Sequence, residues 1–274
     1  MNISKSILLS TSIAFAVILA AGCKKDETPE PEPNKTVYDI QVKDQLGITG
    51  TVTFTEISAT VTTIDIALVG GDSDSHPSHI HLNSAVEGGA IALSLNPVVN
   101  GYSSTQVTML DNNSSINYSQ LIVYNGYLNV HQSSTDLGTI IGQTDIGGNA
   151  LTSTSKNYNL DVTNASGVAG TALFQKRKNG KTLVTISLTG TLAGGMHPAI
   201  IHIGSVETVG GGPAVKTLNP VNGATGKSYT NLLVLDDQTP VTYDNMLVYD
   251  GYLAIHESTL LMANVICQGN IGTN

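Results

Sequence analysis

The chain has 274 residues and carries a formal net charge of −9, with 12 Lys and Arg against 21 Asp and Glu. It is long enough to form more than one domain, since a domain typically has about 100–150 residues. The shortage of cationic side chains argues against a nucleic-acid-binding protein, because contacts to phosphate groups need Lys and Arg.

The first 22 residues have the pattern of an export signal. Lys5 provides a positive charge, and the apolar stretch 7–21 that follows is too short for a comfortable membrane span. The stretch leads into Leu-Ala-Ala-Gly at 19–22, directly before Cys23, which resembles the lipobox of bacterial lipoproteins. We therefore expect 1–22 to be a lipoprotein signal peptide and Cys23 to be the lipidated first residue of the mature protein. A plain secretory signal followed by an unrelated cysteine is the alternative.

Residues 23–36 are predicted to be an acidic, Pro-rich tether. Proline alternates with acid, and no apolar residue occurs over 24–35, so this segment cannot bury enough surface to fold. Lysines followed by acids directly after Cys23 resemble the surface-export signal of Bacteroidota lipoproteins. The expected location is the outer membrane, with the protein held by its lipid anchor and exposed at the cell surface; the periplasmic face is the alternative.

The remainder of the chain consists of two copies of one unit. Gly-Ile-Thr-Gly-Thr-Val-Thr-Phe at 47–54 matches Gly-Val-Ala-Gly-Thr-Ala-Leu-Phe at 167–174. Such a repeat predicts two similar domains, here 37–149 and 157–274, joined by a linker at 152–156.

Within each copy the sequence predicts short strands. Residues 60–69 alternate β-branched and polar positions and are followed by a glycine pair. No stretch of the sequence shows a sustained helical period. We therefore expect an all-β protein of two tandem antiparallel β-sandwich domains, each with about eight strands in a superoxide-dismutase-like or immunoglobulin-like Greek key.

The seven histidines occupy matching places in the two copies. The first copy has His76, His79, His81 and His131, and the second has His197, His202 and His256. Residues two apart in a strand point to the same face, so His79 and His81 project side by side. With His131 from a distant strand they form a set that copper or zinc accepts.

Two questions about this set stay open from the sequence. His76 is either a fourth ligand or a supporting residue at the entrance of its strand. In the second copy Ile200 occupies the position of His79, so His197, His202 and His256 make a weaker candidate site. Alternatively, all seven histidines are hydrogen-bonded packing residues that hold no metal.

The motifs around the histidines resemble the chordin-type (CHRD) domain. These are Ser-His-Ile-His at 78–81, Leu-Asn-Val-His at 128–131 and Gly-Thr-Ile-Ile-Gly-Gln at 138–143, with Leu-Ala-Ile-His at 253–256 in the second copy. The resemblance covers both domains and implies an extracellular β-sandwich.

The same residues are similar to the copper, zinc superoxide dismutases, in which a His-x-His strand and a later Val-His strand supply copper ligands. This chain departs from that pattern. No histidine lies between His81 and His131, so the bridging and zinc ligands are missing. Its single arginine, Arg177, is placed in an Asn-Gly hairpin, so no cation is evident that would attract superoxide.

The sequence therefore predicts a cell-surface lipoprotein that acts as a non-enzymatic binding module, with a copper or zinc site in the first domain. The membrane, through Cys23, and an extracellular protein or glycan are the expected partners. A copper-handling or dismutase-like protein and a structural spacer without a ligand are the alternatives. With Cys23 acylated, Cys267 has no partner and is expected to be a small buried hydrophobe.

Overall fold

Alternating β-branched and polar residues form strands along most of the chain that the computed structural model describes, which comprises residues 32–44, 47–71 and 73–274. The predicted signal peptide, Cys23 and most of the predicted tether lie outside these residues. Pro33–Asn274 form one compact unit. No helix among the described residues is long and apolar enough to cross a membrane.

The first eight strands form one antiparallel sheet in the order β1-β2-β3-β6-β5-β4-β7-β8. The elements are β1 (Lys35–Ile40), β2 (Thr49–Ser58), β3 (Val61–Val69), β4 (Ser75–Leu82), β5 (Ile91–Val99), β6 (Tyr102–Val107), a one-turn helix α1 (Tyr118–Leu121), β7 (Asn125–Ser133) and β8 (Asp136–Gly147). Just beyond the end of β1, Gln41 meets Gln143 of β8 in an isolated antiparallel bridge.

The second eight strands repeat this arrangement and close into a barrel in the order β10-β11-β14-β13-β12-β15-β16-β9. The elements are β9 (Leu151–Val162), β10 (Ala169–Arg177), β11 (Thr182–Thr189), β12 (Met196–Ile203), β13 (Ala214–Asn222), β14 (Lys227–Leu232), a one-turn helix α2 (Tyr243–Leu247), β15 (Asp250–His256) and β16 (Val265–Gly272). The prediction of an all-β protein with two antiparallel domains is confirmed.

Each sheet encloses its own apolar core. In the first, Tyr38 of β1 packs edge-on against Phe54 of β2, and in the second Tyr158 packs in the same way against Phe174. Aliphatic side chains fill the remainder of both cores. Cys267 is fully buried in the second core, and burial raises the pKa of its thiol to about 12, which confirms the prediction of a buried hydrophobe.

The predicted linker at 152–156 is wrong, because these residues belong to β9. Ser155 pairs with Gln175 of β10, and Lys156 pairs with Phe174. The Ser- and Thr-rich composition fits the exposed side of a strand, where β-branched threonine is favoured and polar side chains face water. The connection between the two sheets is therefore very short and consists of residues 148–150.

Arg177, at the end of β10, is fully buried and joins the two domains. Its guanidinium Nη1 donates to the Asp145 carboxylate of β8 at 2.6 Å and to the Asn149 carbonyl oxygen, while its Nε donates to Asn231 Oδ1 at 3.0 Å. Asn231 in turn donates to the Glu87 carboxylate at 3.0 Å. Hydrogen bonds between side chains therefore join the two domains.

We expect Arg177→Met to lower the free energy of unfolding by about 3–5 kcal/mol, because it leaves the Asp145 carboxylate, which is only 13% exposed, without its cation while keeping most of the apolar stem. Urea denaturation measures the change. Lys176→Met is the matched control, since Lys176 pairs with Asp244 at a largely exposed position. The control should stay within about 1 kcal/mol of the unmodified protein. Equal losses in the two variants would contradict the proposed role of Arg177.

Candidate metal centre

The antiparallel pairing of β4 with β7 places the histidines of the first domain. His79 lies opposite Asn129 and His81 lies opposite Tyr127. Between them, Ile80 is buried in the core. Because successive side chains alternate across a strand, His79 and His81 project from the face of the sheet that is turned away from this core.

His79, His81 and His131 each offer a ring nitrogen, and the three atoms lie within 4.8 Å of one another. The ring centres are 5.9 Å apart for His79 and His81, 5.1 Å for His79 and His131, and 6.1 Å for His81 and His131. Three imidazoles bound to one ion at about 2.0–2.1 Å would have ring centres about 5.2–5.5 Å apart. Small side-chain adjustments therefore suffice to bring all three nitrogens onto one ion.

Backbone carbonyl groups fix the tautomers of two of these rings. His81 Nδ1 lies 3.0 Å from the Gly89 carbonyl oxygen, and His131 Nδ1 lies 2.7 Å from that of Leu137. A carbonyl oxygen only accepts a hydrogen bond, so each Nδ1 carries the proton and each Nε2 presents a lone pair. Hydrogen bonds of this kind orient metal-binding histidines in proteins.

Each of the three clustered histidines has one buried ring nitrogen without a hydrogen-bond partner among the described residues. These nitrogens are His81 Nε2, His131 Nε2 and His79 Nδ1. A buried polar atom without a partner costs about 1–3 kcal/mol, so three in one place call for an explanation. A single cation would satisfy all of them at once.

The electrostatics also favour neutral rings at His79 and His81. Burial lowers the pKa of His79, and the neighbouring His131 and His81 lower it further. Burial is likewise the main reason that the pKa of His81 is lowered. Because a metal binds the unprotonated imidazole, these shifts keep the ligands ready for binding at pH values where an ordinary histidine is partly protonated.

Two supporting features were not assigned a role from the sequence. The Tyr127 ring stacks on His81 with centres 4.9 Å apart and 16° between the planes. Gly89, which accepts the His81 hydrogen bond, approaches Leu82 so closely that a Cβ would lie 2.0 Å from the Leu82 carbonyl oxygen. Tyr127 and Gly89 recur in the second copy as Tyr252 and Gly212. This recurrence is the feature of the sequence that could have indicated a role for both residues.

His76 lies in the same strand but is not a member of the cluster. Its Nδ1 is 2.8 Å from the carbonyl oxygen of Gln132, next to His131. This contact links the start of β4 to the end of β7. The structure thus gives His76 a bond to the backbone of the strand that carries His131.

The second domain keeps part of the arrangement. His202 and His256 have ring centres 6.3 Å apart, whereas Ile200 stands where His79 would be. His197 Nδ1 is 2.8 Å from the Glu257 carbonyl oxygen, as His76 is from that of Gln132. Among the described residues of this domain, no three potential ligands come together as they do in the first.

Comparison with protein-family models, curated proteins and solved structures found no match to this chain. The resemblances to the chordin-type domain and to the superoxide dismutases therefore stay predictions from the sequence.

We expect the metal-free protein to lose stability as the pH falls below about 6.5, the ordinary pKa of histidine. The pKa values of His79 and His81 are lowered in the folded state, so the unfolded chain binds protons first and is favoured by acid. Urea denaturation in the presence of a chelator, above and below this pH, measures the effect. In the His79→Gln/His81→Gln variant the dependence on pH should be shallower, and an unchanged dependence would contradict the assignment.

Proposed function

We propose that the first domain binds one copper or zinc ion through His79, His81 and His131, and that the protein serves as a non-enzymatic binding module. The observation that supports this proposal is the closeness of His79, His81 and His131, each of which has a buried ring nitrogen without a hydrogen-bond partner, while backbone carbonyl groups orient two of the rings. Buried ring nitrogens of packing histidines are usually paired with a hydrogen-bond donor.

The chemistry of the donor atoms favours copper or zinc over other common ions. Imidazole nitrogen suits copper and zinc, whereas calcium and magnesium prefer oxygen ligands. Three protein ligands leave a further coordination position open, and His79 is the least buried of the three. An outside group, such as a side chain of an extracellular protein or a glycan oxygen, can complete the coordination there.

The proposed setting is the cell surface, with the chain held in the outer membrane by a lipid on Cys23. This part of the proposal is supported by the apolar stretch and small residues that precede Cys23, and by the acidic, Pro-rich segment that follows it. A tethered metal-binding domain in that position would meet metal ions and partners outside the cell.

A binding role is favoured over a dismutase-like activity by the position of Arg177. This residue is the only arginine of the chain, and it is fully buried with its guanidinium paired to Asp145. It is therefore not available at the surface to attract the superoxide anion, and electrostatic attraction of this kind requires an exposed positive field.

We expect the protein to bind one equivalent of Zn(II) tightly, and His79→Ala/His131→Ala to weaken this binding by roughly 100-fold or more, since loss of even a supporting contact costs 10–100-fold. Calorimetric titration measures both. His76→Ala is the matched control, because His76 lies on the same strand outside the cluster, and it should retain the site. Cu(II) titration followed by electron paramagnetic resonance should show nitrogen ligands in the unmodified protein and their loss in the double variant.

Equal and weak Zn(II) binding by the unmodified protein and the double variant would refute the proposal. Circular dichroism of each variant shows that the fold is retained, so that lost binding is assigned to the site.

A further inference from the structure

The second domain has lost one ligand position of the first but has kept the geometry of the other two. His202 corresponds to His81, and His256 corresponds to His131. The His202 ring stacks on Tyr252 with centres 4.9 Å apart and 13° between the planes, matching the stack of His81 on Tyr127. A packing role alone would not require the same pair separation, yet it is 6.3 Å here and 6.1 Å in the first domain.

Backbone carbonyl groups fix the tautomers of this pair as well. His202 Nδ1 lies 2.8 Å from the Gly212 carbonyl oxygen, and His256 Nδ1 lies 2.6 Å from that of Met262. Each Nδ1 therefore carries the proton, and each Nε2 presents a lone pair. In this tautomer neither Nε2 can donate a hydrogen bond to the other.

Both Nε2 atoms are buried and have no hydrogen-bond partner among the described residues. His256 as a whole residue is only 6% exposed. A buried lone pair is unfavourable unless it meets a hydrogen-bond donor or an electron-pair acceptor such as a metal ion. Such an acceptor has two nitrogen ligands available, because Ile200 contributes only a hydrocarbon side chain at the third position.

The number of ligands indicates which ion the pair can accept. His202 and His256 offer two ring nitrogens, and Ile200 stands at the third position. Linear coordination by two nitrogens is typical of monovalent ions with a filled d shell, such as Cu(I) and Ag(I). It is not typical of Zn(II), which takes four ligands.

We infer that the second domain binds a monovalent copper ion between His202 Nε2 and His256 Nε2. The two domains then differ in the metal that they accept: three ligands in the first suit a divalent ion, and two in the second select a monovalent one. The second site uses none of the residues of the first, so a result against one site is not a result against the other.

Silver is the probe, because Ag(I) takes the same coordination as Cu(I) and does not change its oxidation state. The experiment uses the chain with His79→Ala/His131→Ala, which disables the first site, and with Cys23→Ser/Cys267→Ala, which removes both thiols. We expect this background to bind one Ag(I) per chain, to leave Zn(II) unbound, and to show shifted Nε2 resonances for His202 and His256 in the nitrogen NMR spectrum.

In the same background, His202→Gln and His256→Gln should each weaken Ag(I) binding at least about 100-fold. Ile200→His provides a test that does not depend on removing a buried side chain, because it restores the third ligand and should create Zn(II) binding in the second domain. Thermal unfolding shows which variants are folded.

Failure of the folded background to bind Ag(I), or retention of binding by a folded His202→Gln variant, would overturn the inference. Because Zn(II) binding by the first domain is measured separately in the unmodified protein, failure of either site is distinguishable from failure of the other.

Discussion

The alternation of side chains across β4 and β7 is the constraint on which both the core and the metal centre depend. Ile80, Leu128 and Val130 face inward and are fully buried, while the neighbouring His79 and His81 face outward. A shift of either strand by one residue would exchange these two sets. The apolar core therefore fixes the register that brings the histidines together. The register that stabilises the sheet is also the one that the geometry of the site requires.

The segments around Gly89 and Leu137 cover the outward-facing His81 and His131. Gly89 lies in the loop before β5 and Leu137 near the start of β8, and their carbonyl oxygens hold the Nδ1 atoms of the two rings. The same bonds that cover the rings direct their lone pairs to a common point. This explains how a site can be ordered before any ion is present, and why the corresponding loops of the second domain repeat the arrangement at His202 and His256.

Duplication lets the two domains be compared as variants of one scaffold. The difference between His79 and Ile200 changes the number of ligands while the two remaining rings keep their separation. Meanwhile Arg177 ties the domains together through Asp145, so the two sites belong to one compact unit and not to freely moving modules. The short connection at 148–150 also holds the two domains together, because it leaves little chain length for independent motion.

The sequence by itself determined the strand periodicity, the two copies, the all-β class and the pairing of His79 with His81, because these follow from side-chain spacing along the chain. It misplaced the linker, since a run of Ser and Thr suits an exposed strand face as well as a loop. Only the tertiary structure decided that Tyr127 stacks on His81 and that Arg177 is buried between the domains. These are contacts between residues far apart in sequence, and no local pattern encodes which carbonyl group or carboxylate will lie beside a given side chain once the sheets have closed.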